Sequence, residues 1–205
     1  MFRSILVIII SYLVGSIPFG LIIGRLWAKI DVREYGSGNI GTSNVLRTVG
    51  PWAAITVFAL DVAKGAAAVY LATLVGADYV RILAGVAAIV GHNWPIYLRF
   101  RGGKGIATSL GVVITLTPVV ALMLLGLWII IVGITRYISL ASLAVAFLFP
   151  LFLIVFDAPW TYVLAGVLIS AFAFHRHRDN IKRLLGGTEH KIGQKANKKA
   201  DPKDS

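Results

Sequence analysis

Six apolar runs divide this chain, near residues 4–24, 51–75, 80–96, 106–135, 138–156 and 159–175, and polar residues gather mostly between them. Runs of this length are what an α-helix needs to cross the hydrocarbon core of a bilayer. The pattern predicts an all-α integral membrane protein. One run is too long for a single ordinary span: 106–135 holds 30 residues and contains Thr115-Leu-Thr-Pro118. Proline inside a helix removes a hydrogen bond and breaks it. The run therefore divides into helices at about 106–116 and 119–135. The first would rise only about 16 Å at 1.5 Å per residue, so it needs tilt, protein cover or a thinner bilayer. The count becomes about seven spans, some of them short.

Charge supports an odd number. Arg25, Lys29, Arg33 and Arg47 follow the first span, Arg99, Arg101 and Lys104 follow the third, and nine Lys/Arg lie between Arg176 and Lys203. The link after the second span, Gly76-Ala-Asp-Tyr, carries no basic residue, although Arg81 follows closely. Basic loops stay on the cytoplasmic side, so the N-terminus is expected outside and the C-terminus inside. Seven crossings satisfy that, place Arg136-Tyr-Ile-Ser-Leu-Ala-Ser142 beside the other basic clusters, and leave Asp157-Ala-Pro as a short external turn. Residues 1–192 are expected to form one membrane domain. The polar tail 193–205 is read as disordered, since it lacks large apolar residues. Met1-Phe-Arg before an apolar run resembles a signal peptide, but the run continues to Ile23 without a clear cleavage site, so an uncleaved first span is expected.

Composition narrows the partners. The 205 residues are 58% hydrophobic with mean hydropathy +0.82 and net charge +11. Such charge on a soluble chain would suggest nucleic acid. Here the basic residues flank apolar spans, so anionic lipid or substrate is the better reading. No cysteine is present, which excludes disulfides and a thiol nucleophile. Asp and Glu total nine and do not cluster, so no metal site is expected.

Three polar clusters carry the candidate chemistry. Gly36-Ser-Gly-Asn-Ile-Gly-Thr-Ser-Asn44, with Arg47, has the glycines to aim backbone N–H groups at one anion, side-chain donors at Ser37, Asn39 and Asn44, and a guanidinium suited to phosphate. The alternative is a flexible loop with a helix cap at Thr42 or Ser43. Gly91-His-Asn-Trp-Pro95 leads into Arg99-Phe-Arg-Gly-Gly-Lys-Gly105. This is not a P-loop, but Gly102, Gly103 and Gly105 let the backbone approach an anion beside Lys104, and a helix beginning at Ile106 adds its positive dipole end. His92 reads equally well as an interfacial histidine. His175-Arg-His-Arg-Asp-Asn180 places His175 and Asp179 at i, i+4 and His177 and Asn180 at i, i+3 on a helix. Its spacing is His-x3-Asp, not the His-x4-Asp of many acyltransferases, so a catalytic dyad is not expected.

Asp61 and Lys64 lie i, i+3 within the second span, where a pair is less costly than a lone charge, and a structural role is expected. Gly20, Gly24, Gly85, Gly111, Gly126, Gly133 and Gly166 suggest close helix packing. Trp27, Trp52, Trp94, Trp128 and Trp160 suggest interfacial aromatics.

Gly36-Ser-Gly-Asn-x-Gly41 with Asn44 and Arg47, Gly91-His-x-x-Pro95 with Phe100-x-Gly-Gly-Lys-Gly105, and His177-Arg-x-Asn180 with Arg183-Leu184 resemble the motifs of the bacterial acyl-phosphate:glycerol-3-phosphate acyltransferases. Gly15-Ser16, Asp61-x-x-Lys-Gly65 and Arg136-Tyr-x-Ser-Leu-Ala-Ser142 extend the likeness to about His190. Gly41-Thr-Ser-Asn44 departs mildly, where Gly-Ala-Thr-Asn would be usual. The resemblance implies a seven-helix enzyme of the bacterial inner membrane with its site facing the cytoplasm. It would move an acyl chain from acyl phosphate to the sn-1 hydroxyl of glycerol 3-phosphate, giving lysophosphatidic acid and phosphate.

By the same resemblance, Arg47, Lys104, His177 and Asn180 are the expected catalytic residues. Ser37, Gly38, Asn39, Gly41, Asn44, His92, Gly102, Gly103 and Ser142 join them in substrate binding. The Ser37-Gly38-Asn39 loop would take the acyl-phosphate headgroup. No cofactor and no nucleic acid are expected; the partners are the two substrates and membrane lipid, and the chain is expected to act as a monomer. A mixed anhydride has a good leaving group, so no covalent intermediate is required. The proton acceptor is left between a substrate phosphate oxygen and His177. An anion channel or transporter with a basic cytoplasmic vestibule is the alternative, and it predicts polar groups at midplane and on both faces.

Overall fold

A computed structural model describes residues 1–76 and 78–194; most of the expected tail lies outside them. The described residues form α1 (Phe2–Gly15), α2 (Phe19–Ala28), α3 (Thr42–Thr48), α4 (Pro51–Thr73), α5 (Asp78–Asn93), α6 (Ile106–Leu116), α7 (Pro118–Thr135), α8 (Ile138–Val155), α9 (Trp160–Arg176) and α10 (Arg178–Leu185). Two 3-10 turns, Val32–Glu34 and Ile96–Leu98, complete this all-helical set.

The long apolar run breaks where proline requires it. Thr117 ends α6, its N–H bonding Val113 O at 2.7 Å, and Pro118 opens α7, where a missing N–H costs nothing. The first run, expected as one helix, is also divided. Pro18 interrupts it between α1 and α2, and the Ile17 carbonyl at the break accepts from Lys64 Nζ at 2.9 Å.

Among the described residues, four stretches are long and apolar enough to cross a membrane: Phe2–Ala28 (taken through its break), Pro51–Thr73, Pro118–Thr135 and Ile138–Val155; Ile106–Leu116 is a shorter apolar helix. On α7, Leu122, Met123, Ile129, Ile130 and Ile134 are all exposed. So continuous an apolar face has lipid as its natural solvent.

Packing is tightest between α4 and α6 and between α1 and α5. A Cβ on Gly65 would collide with the Thr108 carbonyl, and one on Gly111 with the Val62 carbonyl. Small residues let helix backbones approach within lipid, where no hydrophobic force drives them together. Gly126 and Gly133 do not share this use, since nothing lies within 4 Å of a Cβ at either. One core, including Val69, Ile89, Val112, Leu124, Phe149 and Leu153, joins α4 to α9. A second, around Val32, Ile40, Val45 and Val57, fixes the 36–47 segment against α2 and α4.

Candidate active site

The glycine loop 99–105 is the centre on which the other clusters meet. Arg99 and Phe100 enter it at φ +50° and +62°, a left-handed pair that turns the chain sharply. Gly103 N then donates to His92 O at 3.0 Å. A Cβ at Gly103 would strike the His92 ring, and one at Gly102 would strike the His92 carbonyl and Pro95. Glycine is therefore required by contact with what lies beneath the loop as well as by any ligand above it. His92 sits on that inner side, buried, with Nδ1 3.5 Å from Asp61 Oδ1. It supports the loop from within.

The 36–47 segment meets the loop through Asn39, whose Nδ2 donates to Gly102 O at 3.5 Å. Its own bonding differs from an open nest. Asn44 is buried; its Oδ1 accepts from Ser37 N at 3.0 Å, and its Nδ2 donates to the Val32 and Tyr35 carbonyls at 2.8 and 3.2 Å. Gly38 N donates to Tyr35 O and Gly41 N to Asn39 Oδ1. Three of the amides expected to face an anion are thus spent inside the loop, and Asn44 works as its organiser. Gly41 flanks α3, with neither Thr42 nor Ser43 as the cap.

The third cluster closes on the same loop. Arg176 Nε and Nη2 donate to the Gly103 and Gly102 carbonyls at 2.9 and 2.8 Å, its guanidinium lying over Trp94. The continuous helix expected through His175 and Asp179 is absent: His177 ends α9 and begins α10. His175 turns to the Trp94 ring while Asp179 is exposed, so the two form no dyad. The break turns His177 and Asn180 inward, only 3% and 4% exposed. Lys104 Nζ donates to Asn180 Oδ1 at 2.5 Å, and His177 Nδ1–H donates to Ala173 O at 2.8 Å, leaving Nε2 as the free nitrogen.

Glu189, which the sequence reading passed over, completes the cluster. Its Oε1 accepts from Asn180 Nδ2 at 2.8 Å and Ser139 Oγ at 3.0 Å, and its Oε2 accepts from Arg183 Nε at 2.8 Å. The strand of chain around it is strapped down by Arg47, which donates to His190 O, and by Arg136, which exchanges bonds with Ile192. One acid in a run of basic residues was the available signal.

Electrostatically the site is cation-rich. Burial pushes the Lys104 ammonium down to about 8; Glu189 opposes the shift and Arg183, Arg47 and Arg176 add to it. Burial likewise lowers Arg47. Burial and then Lys104 push His177 down to about 3, so its imidazole is neutral and only weakly basic. Lys104, Arg47 and Arg183 share the one carboxylate of Glu189, and Arg176 beside them has only the exposed Asp179, so the site is short of negative charge, which a phosphate would supply.

An apolar cavity of about 120 Å³ abuts this cluster. Ile106, Trp128 and Ala173 line it; Ile106 follows Gly105 and Ala173 holds His177, while Trp128 Nε1 donates to Ser142 Oγ at 3.2 Å, and Ser142 itself donates to Ile138 O without a bond to the Lys104 cluster. Trp94 lies under Arg176 beside the loop and Trp128 lines the cavity, whereas Trp27, Trp52 and Trp160 are exposed as interfacial aromatics would be.

The family model described as glycerol-3-phosphate acyltransferase matches residues 5–187. The chain belongs to the glycerol-3-phosphate acyltransferase family. A member from Thermoanaerobacter pseudethanolicus is 44% identical over 94% of this chain and 97% of its own. Another, from Desulforudis audaxviator, is 48% identical over 90% and 93%. The fold matches the crystal structure of PlsY, an integral membrane glycerol 3-phosphate acyltransferase, in its glycerol 3-phosphate form, with TM-score 0.89 and 40% identity over 93% of this chain and 96% of that one. Its lysophosphatidic acid form matches at TM-score 0.86 and 39% identity over 93% and 95%. Membership of this acyltransferase family fits a site that combines phosphate-seeking cations with an apolar cavity.

Proposed function

We propose that the protein transfers an acyl chain from acyl phosphate to the sn-1 hydroxyl of glycerol 3-phosphate, releasing lysophosphatidic acid and phosphate. One observation carries this reading: a cation-rich cluster around Lys104 and Asn180 abuts an apolar cavity through Ile106 and Ala173. Two phosphorylated substrates, one of them with a hydrocarbon tail, need that combination. The matching crystal structures, a glycerol 3-phosphate form and a lysophosphatidic acid form, support the acceptor and the product.

In this reading Lys104, Arg47, Asn180 and Ser142 hold the glycerol 3-phosphate phosphate. The acyl-phosphate headgroup lies by the Ser37-Gly38-Asn39 loop, and its chain enters the cavity. Gly102 and Gly103 let the backbone approach close behind them. The glycerol hydroxyl oxygen attacks the carbonyl carbon, the bond from that carbon to the phosphate oxygen breaks, and phosphate leaves with the bonding pair. Alignment and charge stabilisation supply the catalysis, without an acyl-enzyme. A substrate phosphate oxygen takes the hydroxyl proton, because an imidazole with a pKa of about 3 is a poor base near neutrality. His177 Nε2 then orients the hydroxyl as an acceptor. Seven crossings, an outside N-terminus and a cytoplasm-facing site in a bacterial inner membrane belong to the same proposal, as do a monomeric catalytic domain over 1–192 and a dispensable tail.

Purified protein given palmitoyl phosphate and glycerol 3-phosphate should release phosphate and form lysophosphatidate in equal amounts. Product formed only from acyl-CoA would overturn the donor. The vestibule alternative is weaker, since the donors above gather at one end of the bundle.

A further inference from the structure

The cavity beside the site stops partway along the bundle. It runs from Ile106 to Val113 on α6, from Trp128 back to Ala121 on α7, from Val145 to Phe149 on α8 and from Ala173 back to Ile169 on α9. A second cavity, of about 20 Å³, continues the line and is lined by Leu116, Leu153, Tyr162, Ala165 and Gly166 among others. Three residues belong to both walls: Val113, Phe149 and Ile169. They are 6%, 8% and 8% exposed, so all three are buried where the two cavities meet. Phe149 is the largest of them. Its ring faces Gly166, where an added Cβ would come within 3.5 Å of Phe149 Cε1.

We infer that Phe149, backed by Val113 and Ile169, is the stop that sets how long an acyl chain the cavity accepts. This rests on the proposed acyl transfer, with the chain in the first cavity. Phe149 lies seven residues beyond Ser142 on α8, about 10 Å deeper at 1.5 Å per residue. The donor's chain comes from the bilayer, where its methylenes are already in hydrocarbon, so the cavity gains little by removing them from water. Selection between chain lengths must then come from fit. A chain that reaches the partition meets side chains at core packing density, and forcing extra methylenes into such packing is costly. Phe149→Ala removes the ring and joins the cavities. Ala165→Leu refills the second cavity from its far wall.

The test uses the full chain with lauroyl, palmitoyl and arachidoyl phosphates and glycerol 3-phosphate, comparing kcat/KM between donors. The ratio within one variant is insensitive to how much of it is folded. In Phe149→Ala the arachidoyl-to-lauroyl ratio should rise roughly tenfold, the scale on which apolar pockets discriminate. The double variant Phe149→Ala/Ala165→Leu should return toward the original ratio. Phe149→Leu should shift it in the same direction by less, and serves if the alanine variant does not fold. An unchanged ratio in these variants, with the wild type active, would overturn the partition alone. A wild type inactive on all three donors would overturn the acyl-phosphate reading beneath it.

Discussion

Two charged clusters in this molecule use similar residues to opposite ends. Asp61, Lys64 and His92 are all less than 5% exposed; Lys64 Nζ is 2.7 Å from Asp61 Oδ1 and also ties the α1–α2 break through Ile17 O. One acid answers one cation, and the cluster is closed. Around Lys104 the balance is different. Lys104, Arg47 and Arg183 share one carboxylate, Glu189, with Arg176 adding to the positive field, and the site adjoins both loop and cavity. A matched buried pair holds helices together, whereas an unmatched cluster waits for an anion. The two are mechanically joined, since His92 touches Asp61 on one side and the glycine loop bearing Lys104 on the other.

The comparison breaks most sharply on Lys104. Lys104→Ala should lower kcat/KM by about 10²–10³, as the loss of one charge-stabilising donor does, with thermal stability unchanged; a large fall in Tm instead would make the residue structural. Asp61→Ala should do the reverse. Leaving Lys64 buried without its partner costs about 3–5 kcal/mol, read as a lower denaturation midpoint. Asp61→Leu/Lys64→Leu should recover much of that loss, since a buried pair replaced by apolar groups is often near neutral; failure of the double variant to recover would mean that the charges do more than offset each other.

The link between the clusters is sharpened by Gly103→Ala, whose Cβ meets the His92 ring. An overpacked contact costs about 1–3 kcal/mol, and here it should displace Lys104, raising KM for glycerol 3-phosphate more than it lowers Tm. The smallest effect is on pH. Lys104 is held down to about 8, so its charge is lost as pH rises through that value. KM for glycerol 3-phosphate should climb above about pH 8, and Lys104→Arg should move that limb upward because guanidinium stays charged. A limb unmoved by the substitution would assign the titration elsewhere.

The sequence made the helices legible because lipid demands long apolar runs and proline marks their breaks. The split at Pro118 and the start of α6 at Ile106 follow from that. The break at Pro18 was hidden, because apolar residues continue on both sides. At the site, residue types and glycine spacing marked the three polar clusters, and the family resemblance picked out Lys104, His177 and Asn180 within them. They could not show that Ser37, Gly38 and Gly41 spend their amides inside the loop, since this depends on where Asn44 and Tyr35 fold. Nor could a helical spacing rule foresee that the chain breaks at His177 and separates His175 from Asp179. Glu189 was missed because its importance lies in a long-range return of the chain onto Ser139 and Asn180.

The central proposal is that one site holds both phosphorylated substrates at once and passes the acyl group directly between them. Initial rates over a grid of palmitoyl phosphate and glycerol 3-phosphate concentrations test it most directly. A ternary complex predicts intersecting double-reciprocal lines and no exchange of labelled phosphate into palmitoyl phosphate when glycerol 3-phosphate is absent. Parallel lines with that exchange would mean that an acyl-enzyme forms, and would contradict the account.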